Sequence, residues 1–208
     1  MYFARTPSLL KKTLKQASWE MPDTEKKVYL TFDDGPTPMV TTTVLNILDT
    51  YNAKGTFFCI GKNVVDHPEI YEDILKRGHS IGNHTYNHLS GWETTAKKYV
   101  QNTEECAKVV NSNLFRPPYG RISPRQYNLL KDHYHIIMWS VLSWDFDPWL
   151  SWEHCMQNVV KNVRPGSIVV FHDSEKAADR CIPALKDCLK RLGNEGYEFA
   201  ALPYKAIN

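Results

Sequence analysis

The chain has 208 residues, 42% hydrophobic and 23% charged, a balance that supplies apolar material for a sizeable core. A formal net charge of +2 is too even to point to nucleic acid, and no dense basic run stands out beyond short pairs such as Lys26-Lys27. No stretch approaches the roughly 18 apolar residues of a membrane span, so neither a nucleic-acid partner nor a transmembrane segment is expected.

The chain opens MYFARTPSLLKKTLKQASWEM. Leu9-Leu10 is followed at once by Lys11-Lys12, so the apolar core of about 7–15 residues that a secretory signal needs does not form. A cytoplasmic location is the expectation, with cell-envelope association as the alternative. Residues 1–26 read as an extension, a short amphipathic helix docked on the domain, and 27–208 as one domain. The five cysteines, Cys59, Cys106, Cys155, Cys181 and Cys188, are odd in number and lack a CxxC pair, which argues against a disulfide framework or a zinc ribbon.

The first apolar run, VYLTF (Val28–Phe32), ends in Asp33-Asp34-Gly35-Pro36. Adjacent carboxylates raise each other's cost of ionisation, and successive strand residues face opposite ways. Both aspartates reach one site only if the chain leaves β geometry by Asp34, and Gly35-Pro36 offers a turn there. Val40, Val44, Ile47, Leu48 and Tyr51 then fall on one helical face. Further strands are read at TFFCI (Thr56–Ile60), HSIGN (His79–Asn83), LFRP (Leu114–Pro117), HIIMWSV (His135–Val141), SIVVF (Ser167–Phe171) and YEFAAL (Tyr197–Leu202). Ile182, Leu185, Leu189 and Leu192 line a late helix, and Gly55, Gly78 and Gly196 sit where helix C-terminal caps are expected.

Strand and helix in alternation mean right-handed βαβ units and a mostly parallel sheet, an α/β fold. About seven units in one domain fit a small, distorted barrel, with an open doubly wound sheet as the alternative. In either case sites form at the C-terminal ends of the strands. That rule collects Asp33 and Asp34, His84 and His88, Arg116, Asp145 and Asp147, and His172 and Asp173 on one rim.

His84 and His88 form HTYNH, an i, i+4 pair that on a helical turn would share a face and a metal. With a carboxylate from another strand end, the pair makes a two-histidine, one-carboxylate set that leaves coordination positions open. Non-haem iron oxygenases use the same set. The remaining rim residues form an acid–base pair, which metal-assisted hydrolysis requires.

TFDDG (Thr31–Gly35), HTYNH (His84–His88), RPPYG (Arg116–Gly120) and the FH of IVVFHD (Phe171–His172) resemble, in order, the motifs of the polysaccharide deacetylases (carbohydrate esterase family 4, the NodB-homology domain). The resemblance runs from about Lys27 to Pro203. It implies a distorted (β/α) barrel with about seven strands and a hydrolase that removes N-acetyl groups from N-acetylglucosamine-containing glycans. The alternatives are a related deacylase acting on O-acetylated sugar or a non-sugar amide, and an inactive carbohydrate-binding protein on the same fold.

Carried over by position, the resemblance makes Asp33 the general base and Arg116 its partner. Asp34, His84 and His88 become the ligands of a divalent metal, most often zinc, with cobalt or another divalent ion as alternatives. His172 becomes the general acid and Asp145 its orienting carboxylate. The Tyr119 backbone N–H would bind the oxyanion, with Pro118 and Trp144 in the substrate groove. One motif departs from the family: in WSVLSWDFDPW (Trp139–Trp149), Leu142 and Phe146 stand where the family has aspartate and tryptophan. This leaves Asp147 as a second candidate partner for His172. Trp92, Trp149 and Trp152 are further candidate sugar platforms, whereas Trp139, inside an apolar run, is expected in the core.

Overall fold

The computed structural model describes residues 4–11, 14–22 and 25–207. In chain order the elements are α1 (Ser8–Lys11), β1 (Lys27–Asp33), α2 (Val40–Thr50), β2 (Gly55–Cys59), α3 (Gly61–Asp66), α4 (Pro68–Lys76) and β3 (Ser80–Asn83). There follow α5 (Ala96–Ala107), β4 (Leu114–Phe115), a 3-10 turn (Pro118–Gly120), α6 (Pro124–Leu130), β5 (His135–Ile136) and β6 (Val141–Leu142). The chain closes with α7 (Trp152–Val160), β7 (Ser167–His172), α8 (Ala178–Asn194) and β8 (Glu198–Phe199).

All named strand pairs are parallel, in the order β5-β4-β3-β2-β1-β7-β6, with β8 added on β1. The expected single strand His135–Val141 is two. Its start pairs with β4 and its end with β7, at opposite edges of the sheet. The sheet curls until Ile137–Ser140 spans the gap between its edges, which makes a distorted (β/α) barrel.

The N-terminal segment crosses that gap. Ser18 pairs with Ile137, and Arg5 pairs antiparallel with Val141. The Thr6 N–H donates to the Ser140 carbonyl (3.0 Å), and the Met138 N–H donates to that of Ser18 (2.8 Å). Among the described residues of this segment the helix is the single turn α1, shorter than the amphipathic helix expected. Edge backbone groups need partners, and an extended strap supplies them where a helix could not.

Strand alternation sorts the core into an outer and an inner face. Val28, Leu30 and Phe32 of β1, Phe57 of β2 and Val169 and Phe171 of β7 pack with Val44, Leu48, Leu185 and Leu189 of the covering helices. Tyr29, Phe58, Leu114, Ile137 and Ile168 cluster on the inner face. The inner positions of β1 continue through Thr31 to Asp33, and those of β7 through Val170 to His172. Because Asp33 is in register with both Phe58 and His172, the inner column delivers Asp33 and His172 to one level of the rim.

Gly78 and Gly196 have positive φ, 74° and 82°, as helix-ending residues do. Gly55 does not. It opens β2, where a Cβ would lie 2.8 Å from the Phe32 ring, so its role is close packing. All five cysteines are free and buried. No helix among the described residues is long and apolar enough to cross a membrane.

Candidate active site

β1 ends with Asp33 pointing inward, and the next residue takes the left-handed region: Asp34 has φ 85°. That is how two neighbours meet one site, since the reversal at Asp34 undoes the strand alternation. The turn is tied down by Asn63, whose side-chain amide donates to the Asp34 carbonyl (2.8 Å).

Arg116 is fully buried at the end of β4, not the surface charge its residue type suggests. Its Nη1 donates to Asp33 Oδ1 and to Thr31 Oγ1, both at 2.7 Å. Nε and Nη2 donate to the carbonyls of Ile137 (3.2 Å) and Met138 (3.0 Å), and the guanidinium stacks on the Phe58 ring at 4.1 Å. A buried ion pair is tolerated only when its remaining donors are used, and here the β5–β6 link uses them. Burial lowers the Arg116 pKa, against the opposing pull of Asp33.

The HTYNH segment is a loop and not the helical turn expected. Thr85 and His88 have positive φ, 63° and 54°, and the two rings still come to 5.0 Å. His88 Nε2 lies 3.1 Å and His84 Nε2 3.7 Å from Asp34 Oδ1. One donor atom each from Asp34, His84 and His88 falls within 4.8 Å of the others.

The donor set suits a divalent metal on two counts. Tetrahedral ligand atoms about 2.0–2.1 Å from a zinc ion sit roughly 3.3 Å apart, close to the 3.1 and 3.7 Å that separate the two histidine nitrogens from Asp34 Oδ1. His84 Nδ1 lies 2.8 Å from the Arg116 carbonyl, so Nδ1 carries the proton and Nε2 offers its lone pair, as a metal-binding imidazole requires. Burial pushes the His84 pKa down to about 4, which keeps that lone pair free. Burial opposes ionisation of Asp34, but the bond to His88 and the charges of His172, His84 and His88 outweigh it and hold its carboxyl well below the usual range.

On the other side of Asp33, His172 ends β7. Its Nδ1 lies 2.7 Å from Asp145 Oδ1, and its backbone N–H donates to Asp145 Oδ2 (2.8 Å). Asp145 is fully buried. Asp147 instead accepts from the Trp149 N–H (2.9 Å). Burial alone would lower the His172 pKa, yet the Asp145 carboxylate, with Asp34 and Asp33, lifts it to about 9. With Nδ1 committed to Asp145, Nε2 is the nitrogen left for the groove that His172 lines.

The groove is a cavity of about 1640 Å³. Tyr119 (φ 60°) packs against His88 with ring centroids 4.6 Å apart, just after the buried Pro118. Arg121 lies between the Trp92 and Tyr119 rings, 5.1 and 5.6 Å from their centroids. Trp144 and Phe146, also in the lining, pack tilted at 40° with ring centroids 5.2 Å apart, and Phe146 meets His172 edge-on at 5.1 Å. The substituted motif positions, Leu142 and Phe146, both line the groove. So does the half-buried Trp139, which was expected in the core; it packs against two core clusters and lines the cavity as well.

Two contributors were not foreseen, and a third does more than its place at a strand end implied. Asn63 braces Asp34. The N-terminal strap supplies Thr6, Lys15, Gln16 and Trp19 to the groove wall. Asp173, which the strand-end rule put on the rim, bonds to Gly35 and Thr41 across the strands.

A model of the polysaccharide deacetylase family matches residues 20–135. The peptidoglycan-N-acetylglucosamine deacetylase of Bacillus cereus is 37% identical, over 93% of this chain and 96% of its own length. The chitooligosaccharide deacetylase of Azorhizobium caulinodans is 32% identical, over 72% of this chain and 74% of its own. The solved structure of the Bc1960 peptidoglycan N-acetylglucosamine deacetylase, bound to 4-naphthalen-1-yl-N-oxidanyl-benzamide, superposes with a TM-score of 0.84 at 30% identity and covers 95% of each chain. The chain belongs to the polysaccharide deacetylase family.

Proposed function

We propose that the protein is a metal-dependent hydrolase that removes N-acetyl groups from an N-acetylglucosamine-containing glycan. The observation that carries this is the placement of Asp33 and His172 in register on neighbouring strands, beside the Asp34, His84 and His88 cluster. The names of the relatives support a glycan substrate of the peptidoglycan or chitin-oligomer type.

Asp34, His84 and His88 would hold the ion, and their nitrogen and oxygen donors favour zinc over magnesium or calcium. Once bound, such an ion supplies Lewis-acid polarisation of the acetamide carbonyl and a more acidic water. Asp33, oriented by Arg116, takes the proton of the attacking water. The Tyr119 backbone N–H donates to the oxygen on which negative charge develops. His172, kept protonated by Asp145, gives its Nε2 proton to the amide nitrogen, since an amine anion is a very poor leaving group. Acetate and a free amino sugar result. Trp144 lines the groove that would take the acetylated sugar, whereas Pro118, expected beside it, is buried and outside that lining.

Product analysis over chitin oligomers, peptidoglycan fragments and acetylated xylan tests this reading. Acetate and free amine in equal amounts from the first two support it. Acetate from xylan alone would shift the reading to O-deacetylation. Release from none of them by metal-replete protein would favour an inactive glycan-binding protein.

A further inference from the structure

The roles above leave one buried acid at the rim unused. Asp173 follows His172, is fully buried, and lines neither the metal cluster nor the groove. Both of its oxygens are spent on the turn that leaves β1. Oδ1 accepts from the Gly35 N–H (3.0 Å) and Oδ2 from the Thr41 hydroxyl (2.6 Å). Thr41 Oγ1 in turn accepts from the Thr37 N–H (2.7 Å). The Asp173 N–H donates to the Asp33 carbonyl (3.1 Å). One residue just past β7 thus reaches the end of β1 at 33 and the β1–α2 connection at 35 and, through Thr41, 37.

The fit leaves no slack. A Cβ on Gly35 would lie 2.0 Å from Asp173 Oδ2. Gly35 has no positive φ, so glycine is required there for the carboxylate's sake and not for the turn. The strained residues are Asp34 (φ 85°) and Met39 (φ 63°). A non-glycine residue in that region persists only when its surroundings hold it, and the bonds from Asp173 bear on both sides of Asp34.

We propose that Asp173 is a positioning residue that fixes the Asp33-Asp34 turn from the neighbouring strand, and so sets the metal affinity of the Asp34, His84 and His88 cluster and the reach of Asp33. The inference rests on the metal and base assignments above, and its readout is binding as well as turnover.

The test compares Asp173→Asn, Asp173→Ala and Thr41→Val in full-length protein by zinc titration, with kcat and KM measured on a chitin oligomer. Outer partners of metal ligands are typically worth about 10–100-fold in affinity. Asp173→Ala should lose that much. Thr41→Val and Asp173→Asn, which each keep the acceptor for Gly35, should lose several-fold. In all three, kcat should fall while KM stays within about twofold, because neither Asp173 nor Thr41 lines the groove. If Asp173→Ala does not fold, the two milder variants carry the test. Wild-type zinc affinity and kcat in both of them would overturn the proposal, even with a lowered Tm. A wild-type chain that binds no divalent ion would overturn the metal assignment and this proposal with it.

Discussion

His84 and His172 sit on the same rim, and their surroundings drive them in opposite directions. His84 is buried against a carbonyl, which accepts its Nδ1 proton, and burial lowers its pKa to about 4. His172 faces a buried carboxylate at 2.7 Å, and its pKa rises to about 9 despite burial. One imidazole is a lone-pair donor at neutral pH and the other a proton donor. A neutral oxygen beside the ring suits metal binding, an ionised one suits acid catalysis. Asp33 lies between the two halves, paired with Arg116.

The sharpest way to break this comparison is to delete a ligand. His84→Ala or His88→Ala should abolish stoichiometric zinc and with it nearly all turnover, as read by metal analysis of purified protein. Unchanged metal content in both variants would reject the cluster. Asp33→Asn comes next: it should keep the metal and lose about 10²–10⁴-fold in kcat, and near-normal turnover would reject the base.

A smaller effect is expected on the acid side. Asp145→Asn removes the charge that raises His172, so kcat should fall by about 10–100-fold and the alkaline limb of the pH–rate profile should move to lower pH. In the parent the limb should lie at or below about 9, because a bound cation works against the protonated form. A limb unmoved in Asp145→Asn would detach His172 from the acid role.

The smallest effect is on stability. In metal-free protein the raised His172 pKa contributes stability that is complete below the ordinary value of 6.5 and is lost as pH rises through about 9. Chemical denaturation across that window should show the decline in the parent and a flatter profile in Asp145→Asn.

Much of this rim was legible because its residues sit in short runs at strand ends. Asp33-Asp34, the HTYNH histidines, Arg116 and His172 are all found by asking which polar groups follow apolar runs. The conformations that join them were less visible. The left-handed residues Asp34, Thr85 and His88 occupy a region that non-glycine residues visit only occasionally, Asp and His more often than Thr, and so weak a preference does not place the reversals. The split of His135–Val141 was hidden for another reason. Its residues from Ile136 to Trp139 form one apolar run, and only the curl of the sheet puts β5 and β6 at opposite edges. The roles of Asp173 and of the N-terminal strap in the groove depend on contacts more than 100 residues apart in sequence, such as Gly35 with Asp173 (138 apart) and Gln16 with Tyr127 (111 apart), which local patterning does not encode.

The most direct test of the central claim is the acetate released from an N-acetylglucosamine oligomer by protein stripped with chelator and then restored with a divalent ion. Two halves of one rim predict release that vanishes on stripping, returns with the ion, and is matched by an equal amount of free amine. Release that continues undiminished in chelator would contradict the account.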